Sequence, residues 1–141
     1  MTSSDHHVAL LVIDMQEEFR TAVSSIISNV NKTIDHCRTR KIPVIFSQHG
    51  HRYPEVDGGQ LKELWGMDGL IKYGSKRWQL LEELHFIEGD YLILEKRRYD
   101  TFYGTILDNL LKMFQVTSEN AEKSYDNSGS CSLFTKTYCP M

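Results

Sequence analysis

The stretch LLVIDMQEEF occupies residues 10–19. Apolar Leu10, Leu11, Val12 and Ile13 run straight into Asp14, and the chain then turns polar. With Val8 and Ala9 the run is of strand length, and it does not alternate with polar residues. An unalternating run predicts a strand covered on both faces, as in a parallel sheet with helices on either side. Ending such a strand on a carboxylate is costly unless a partner or a reaction needs the charge there.

Outward from this strand, the pattern repeats. Phe19, Val23, Ile26, Ile27, Val30, Ile34 and Cys37 recur at spacings of three and four, which predicts one face of a helix. KIPVIFS at 41–47 reads as a second strand, with Pro43 tolerable near its start. Residues 48–74, rich in glycine, read as a long functional loop. SKRWQLLEELHF at 75–86 predicts a short helix with Trp78, Leu81 and Leu84 on one side. DYLILEK at 90–96 is a third strand, again ending in charge. YDTFYGTILDNLLKM at 99–113 predicts a helix capped by Asp100 or Thr101, with Phe102, Ile106, Leu110 and Met113 inward. Strands alternating with helices imply an α/β fold with a parallel sheet.

After Met113 the pattern stops. Residues 1–113 thus read as the domain, and 114–141 as a divergent, irregular tail rich in Ser and Thr. That division leaves VALLVI on a sheet edge, where so apolar a strand faces water poorly.

The bulk properties narrow the function classes. A chain of 141 residues suggests one domain, and 40% hydrophobic residues suffice for a core. The net charge of −3, without a basic cluster, argues against nucleic acid. No segment approaches the roughly 20 apolar residues of a membrane span. MTSSDHHVALL does not read as a secretory signal. Cys37, Cys131 and Cys139 are too few and scattered for a disulfide scaffold, so a reducing, cytoplasmic setting is expected.

Asp14 and Lys96 both sit where an apolar strand ends, the rim at which parallel sheets bind ligands. A carboxylate there can take a proton from a nucleophile, and a lysine can stabilise charge developing on a carbonyl oxygen. Placement alone supports a structural ion pair equally well. His49 and His51 follow the second strand at a spacing of two, so an extended backbone projects them to one side. They are candidate ligands for a divalent metal such as zinc, with Asp57 or Glu55 as a third. Substrate-contacting or surface histidines are the commoner outcome of this pattern. Phe19, Trp65, Tyr99 and Tyr103 gather near the same rim and suit a flat ring, or simply packing. Cys37 lies on the apolar helix stripe and reads as a buried structural thiol. Cys131, in SGSCS, is the remaining candidate nucleophile, although no strand is expected before it.

These segments together resemble a known family. ALLVIDMQEEF, VIFSQHGHR and LEKRRYDTFYGTILDNLL are similar, in order and spacing, to three motifs of the cysteine hydrolase superfamily of isochorismatases and nicotinamidases. The loop HGHRYPEVDGGQLKELW is most similar to the plant nicotinamidase branch. The resemblance implies an isochorismatase-like parallel sheet with flanking helices, and a Cys–Asp–Lys triad in which Asp14 is the base and Lys96 the cation. It implies amide hydrolysis, nicotinamide to nicotinate and ammonia, in NAD salvage, with Phe19, Trp65 and Tyr103 against the substrate and frequent oligomerisation. Many nicotinamidases hold a metal through Asp-x-His, and here His49 takes the place of that Asp while His51 matches the His. The family's C-terminal strand–helix units are missing after Met113, and the Gly-Val-x-Thr frame of its nucleophile is absent from YDNSGSCSLF. Cys131 lies at about the expected distance from Lys96. An inactive form that pairs with a full-length relative is the alternative to a working hydrolase.

Overall fold

A computed structural model describes residues 8–116 in full, and the backbone of 121–125 and 131–136. The element order begins with β1 (Val8–Ile13), α1 (Arg20–Val23), α2 (Ile27–Thr39) and β2 (Val44–His49). It continues with α3 (Pro54–Asp57), α4 (Gly59–Trp65), β3 (Tyr91–Lys96), α5 (Leu107–Met113), β4 (Ala121–Tyr125) and β5 (Cys131–Lys136). The sheet order is β3-β2-β1-β5-β4. β1 pairs with β2, and β2 with β3, in parallel, as the alternating pattern predicts.

The unbroken apolar run of β1 is explained by its position. Leu10 and Val12 pack with Val30, Ile34, Cys37 and Phe46 in a core that includes the buried stripe of α2. Ala9 and Leu11, pointing the other way, pack with Ile45, Ile93, Leu107 and Leu111 in a second core that includes α5. Cys37 is buried as expected, and burial pushes its thiol pKa up, so it is an inert packing group.

Several boundaries differ from the sequence reading. The helix read across 19–37 is interrupted between Val23 and Ile27. Residues 75–86 form no α-helix, only a single 3₁₀ turn at Lys76–Trp78. Their backbone is used elsewhere: Glu17 N donates to Gln79 O at 2.8 Å, and Leu81 N to Met15 O at 2.9 Å. Residues 99–106 turn instead of coiling, because Gly104 sits at φ +64 and the Asp100 carboxylate accepts the Phe102 N–H at 2.9 Å. The helix is therefore only Leu107–Met113, with Leu107, Leu110 and Leu111 inward; Ile106 and Met113 are exposed.

β1 is also not an edge. Where 114–141 was expected to be irregular, the backbones of β4 and β5 form an antiparallel hairpin, and β5 pairs along β1. Residues 117–120, 126–130 and 137–141, Cys139 among them, lie outside the described residues, as do His6 and His7.

Candidate active site

Parallel pairing brings the C-terminal ends of β1, β2 and β3 to one rim, and each delivers a functional group there. β1 delivers Asp14, β2 ends on His49, and β3 ends on Lys96. Asp14 has φ +54, a left-handed backbone that Asp tolerates better than most residues. That conformation is held by Ser47: Asp14 N donates to Ser47 O at 3.1 Å.

The carboxylate is bracketed. Lys96 Nζ lies 2.7 Å from Asp14 Oδ2, and the Ser47 hydroxyl donates to Oδ1 at 2.8 Å. The Lys96 side chain is 3% exposed and that of Asp14 17%. Charges so withdrawn from water need this pairing and hydrogen bonding to persist. Asp14 and Lys96, 82 positions apart, thus meet as the sequence anticipated. Ser47 was not singled out; its signal is a hydroxyl inside an apolar strand, in register with Ile13 immediately before Asp14.

Gln16 is the other residue the sequence reading passed over. The β2–β3 register shifts between Ser47 and His49. Gln16, fully buried, repairs the gap: its Oε1 accepts His49 N–H at 2.8 Å, and its Nε2 donates to His49 O at 3.0 Å and Trp78 O at 2.7 Å. Its signal is a buried amide two residues after the strand-end acid.

The bracketed pair opens onto a cavity of about 350 Å³, within the size range of small-ligand sites. Ile13, Phe19, Val23 and Ile26 give it an apolar wall, and Trp65, Tyr99 and His49 a ring-bearing one. The Trp65 and Tyr99 rings meet edge-on at 5.8 Å, and Trp65 lies 5.7 Å from the His49 ring. Phe19 and Trp65, two of the three residues the resemblance sets against a substrate, line this cavity. Tyr103 does not line the cavity: its ring is exposed and faces Arg98 at 5.7 Å. Tyr99, which the sequence places at the same rim, does line it.

His49 and His51 are both buried, their rings edge-on at 5.2 Å. Burial, reinforced by Lys96, His51 and Arg98, pushes the His49 pKa down to about 3, so it is neutral at neutral pH. His51 Nδ1 lies 3.0 Å from Asp57 Oδ1. The Nε2 atoms of both histidines are buried without a hydrogen-bond partner among the described residues. That leaves two nitrogens, whereas zinc sites draw on three or four protein ligands. Asp57 is already engaged by His51 Nδ1 and Tyr53 N, and Glu55 is exposed. Among the described residues, no three His, Cys, Asp or Glu side chains are grouped to hold a metal ion. The residues present do not fit the metal that the resemblance implied.

The backbone of Cys131 opens β5 and pairs with Val12, two residues before Asp14 along β1; its side chain lies outside the described residues. Among the described residues, no helix is long and apolar enough to cross a membrane.

A family model for the isochorismatase domain matches residues 8–118. The chain belongs to the isochorismatase family. Nicotinamidase 3 from Arabidopsis thaliana is 38% identical over 109 residues, covering 77% of this chain and 54% of the relative. A ureidoacrylate amidohydrolase, RutB from Serratia proteamaculans, is 30% identical over 137 residues, again covering 77% of this chain and 54% of its own length. This isochorismatase-family chain thus spans about half the length of the curated relatives it matches. Among solved structures, a cysteine hydrolase from Pseudomonas syringae superposes with a TM-score of 0.68 at 23% identity, covering 74% of this chain and 53% of that one. N-carbamoylsarcosine amidase from Thermoplasma acidophilum gives 0.62 at 29% identity, covering 73% and 59%. The isochorismatase-like α/β fold read from the sequence is the fold observed.

Proposed function

We propose that this chain carries a hydrolytic site of the nicotinamidase type, which cleaves the C–N bond of a planar aromatic carboxamide. The observation that carries the reading is the Asp14 carboxylate, bracketed by Lys96 and Ser47 at the mouth of a ring-walled cavity. The 38% identity to a nicotinamidase supports nicotinamide as the substrate.

In this reading Asp14 takes the thiol proton of Cys131, and the thiolate attacks the amide carbonyl carbon. The β5 register, with Cys131 opposite Val12, supports this choice of thiol. The Lys96 ammonium stabilises negative charge at the reacting centre. The protonated Asp14 returns its proton to the departing nitrogen, which leaves as ammonia, and a thioester remains. Asp14 then deprotonates a water that attacks the thioester, releasing nicotinate and restoring the thiol. Such a step serves NAD salvage, and three scattered cysteines support a reducing, cytoplasmic setting.

The test is ammonia release from nicotinamide by the purified chain. Asp14→Asn and Cys131→Ser should each abolish it, with Cys131→Ser keeping the wild-type far-UV dichroism and Asp14→Asn assayed at a temperature where its dichroism shows it folded. Retained turnover in Cys131→Ser, or none in the wild type, overturns the proposal.

A second reading rests on the hairpin that closes β1 in antiparallel fashion, where the resemblance implies further parallel strand–helix units. Here the chain binds the carboxamide without turning it over, and partners a full-length relative. Saturable nicotinamide binding without ammonia release supports it. Co-elution with a co-expressed full-length relative on size exclusion tests the pairing.

A further inference from the structure

We propose that His49 reads the ring of the ligand directly, its Nε2–H donating a hydrogen bond to a ring nitrogen with no metal between them. The inference rests on the proposed carboxamide site and specifies what that site selects: a pyridine-type ring in preference to a benzene ring of the same shape.

Three observations converge on His49. Its Nε2 is buried with no partner among the described residues, although buried polar atoms are nearly always paired. His49 is also part of the wall of the cavity that Asp14 and Lys96 open onto, so a ligand is the partner the fold can supply. Finally, the donors around it do not complete a metal site. The neighbouring His51 cannot take that role. Its Nδ1 is engaged by the Asp57 carboxylate, and its ring lies outside the cavity lining.

The Nε2 atom is closed to water, so access needs a movable cover. Trp65 provides one. Its indole lies 5.7 Å from the His49 ring, is only half-buried, and ends the short α4 immediately before Gly66. Gly66 sits at φ +75, and a Cβ added there would meet nothing within 4 Å. The ligand ring takes the place of the indole against His49, with its carboxamide toward Asp14 and Lys96.

Calorimetric titration of the full chain carrying Cys131→Ser, in which neither amide is turned over, with nicotinamide and with benzamide tests the inference, because the two differ only at the ring nitrogen. Loss of one hydrogen bond that leaves a buried donor unpaired predicts about tenfold weaker binding of benzamide. His49→Phe, which keeps a flat ring but no donor, should erase the preference, and His49→Gln, which keeps a donor, should retain part of it. Dialysis against a chelator should change neither affinity. Equal binding of the two amides by the chain that retains His49 overturns this inference and leaves the carboxamide site standing. A preference lost on chelation and restored by added zinc overturns it in favour of a metal. Binding of neither amide overturns it together with the proposed function.

Discussion

The Asp14–Lys96 pair can be tested by removing the charges one at a time and then together. At 2.7 Å the gross attraction is about 6 kcal/mol at an effective dielectric constant near 20, much of it offset by taking both groups out of water. Removing only one partner loses the attraction and keeps the other's desolvation cost, typically about 3–5 kcal/mol. Asp14→Asn is the cleanest single change. Asn accepts the left-handed backbone at φ +54 as readily as Asp, and its amide oxygen can still accept the Ser47 hydroxyl. What remains is the Lys96 ammonium, 3% exposed, facing an amide instead of a carboxylate. Asp14→Ala would add backbone strain and confuse the two effects.

The expected loss for Asp14→Asn is therefore about 3–5 kcal/mol, a large part of the stability of an ordinary domain. Lys96→Met keeps the stem of the side chain and should cost less, about 2 kcal/mol, because Asp14 at 17% exposed retains some contact with water. The double variant buries neither charge and should return to within about 1.5 kcal/mol of the wild type, well short of the sum of the single losses. Urea unfolding followed by far-UV dichroism measures all four proteins, with a constant slope confirming a common unfolded state. An Asp14→Asn loss below about 1 kcal/mol, or strictly additive losses in the double variant, would refute the claim that the two charges depend on each other.

Two further outcomes follow from the same rim. His49 is held at a pKa of about 3 in the folded chain and takes its ordinary value near 6.5 when unfolded, so between those values the unfolded state binds the extra proton. Stability should therefore fall as pH drops below about 6.5, approaching 1.4 kcal/mol per unit for this group. It should be insensitive to His49 above about 7, and His49→Gln should flatten that acid slope in pH-dependent urea midpoints. Gln16→Ala should cost about 2–4 kcal/mol, because His49 N and O lose their partner while Trp78 O keeps Gln48; faster amide exchange at His49 would accompany it.

How much of this was legible in the sequence depends on how local each signal is. β1 and β2 were legible because burial on both faces leaves no polar alternation, and Ala9 through Val12 are shared between two cores, whereas β4 and β5 lie in a Ser- and Thr-rich stretch without such a run. Asp14 and Lys96 were legible because parallel strands deliver their ends to one rim, so two strand-end charges must be near each other however far apart in sequence. The failures come from contacts that no local pattern encodes. Residues 75–86 have helical spacing, but their backbone hydrogen bonds go to residues 15–17. Of the two tyrosines expected at the rim, Tyr99 lines the cavity and Tyr103 does not, in a segment that turns at Gly104 instead of coiling.

The residues that most constrain the chemistry were the ones least visible. Ser47 and Gln16 are ordinary polar residues in sequence; only the register of β1 against β2 shows one holding the carboxylate and the other holding the backbone of His49. That changes what a strand ending on Asp14 means. An ion pair withdrawn from water needs Lys96 and hydrogen bonds such as the one from Ser47. A backbone held at φ +54 and an open cavity beside the pair are features that stability alone does not require. They fix the direction in which the carboxylate faces the cavity, as the base role proposed for Asp14 requires.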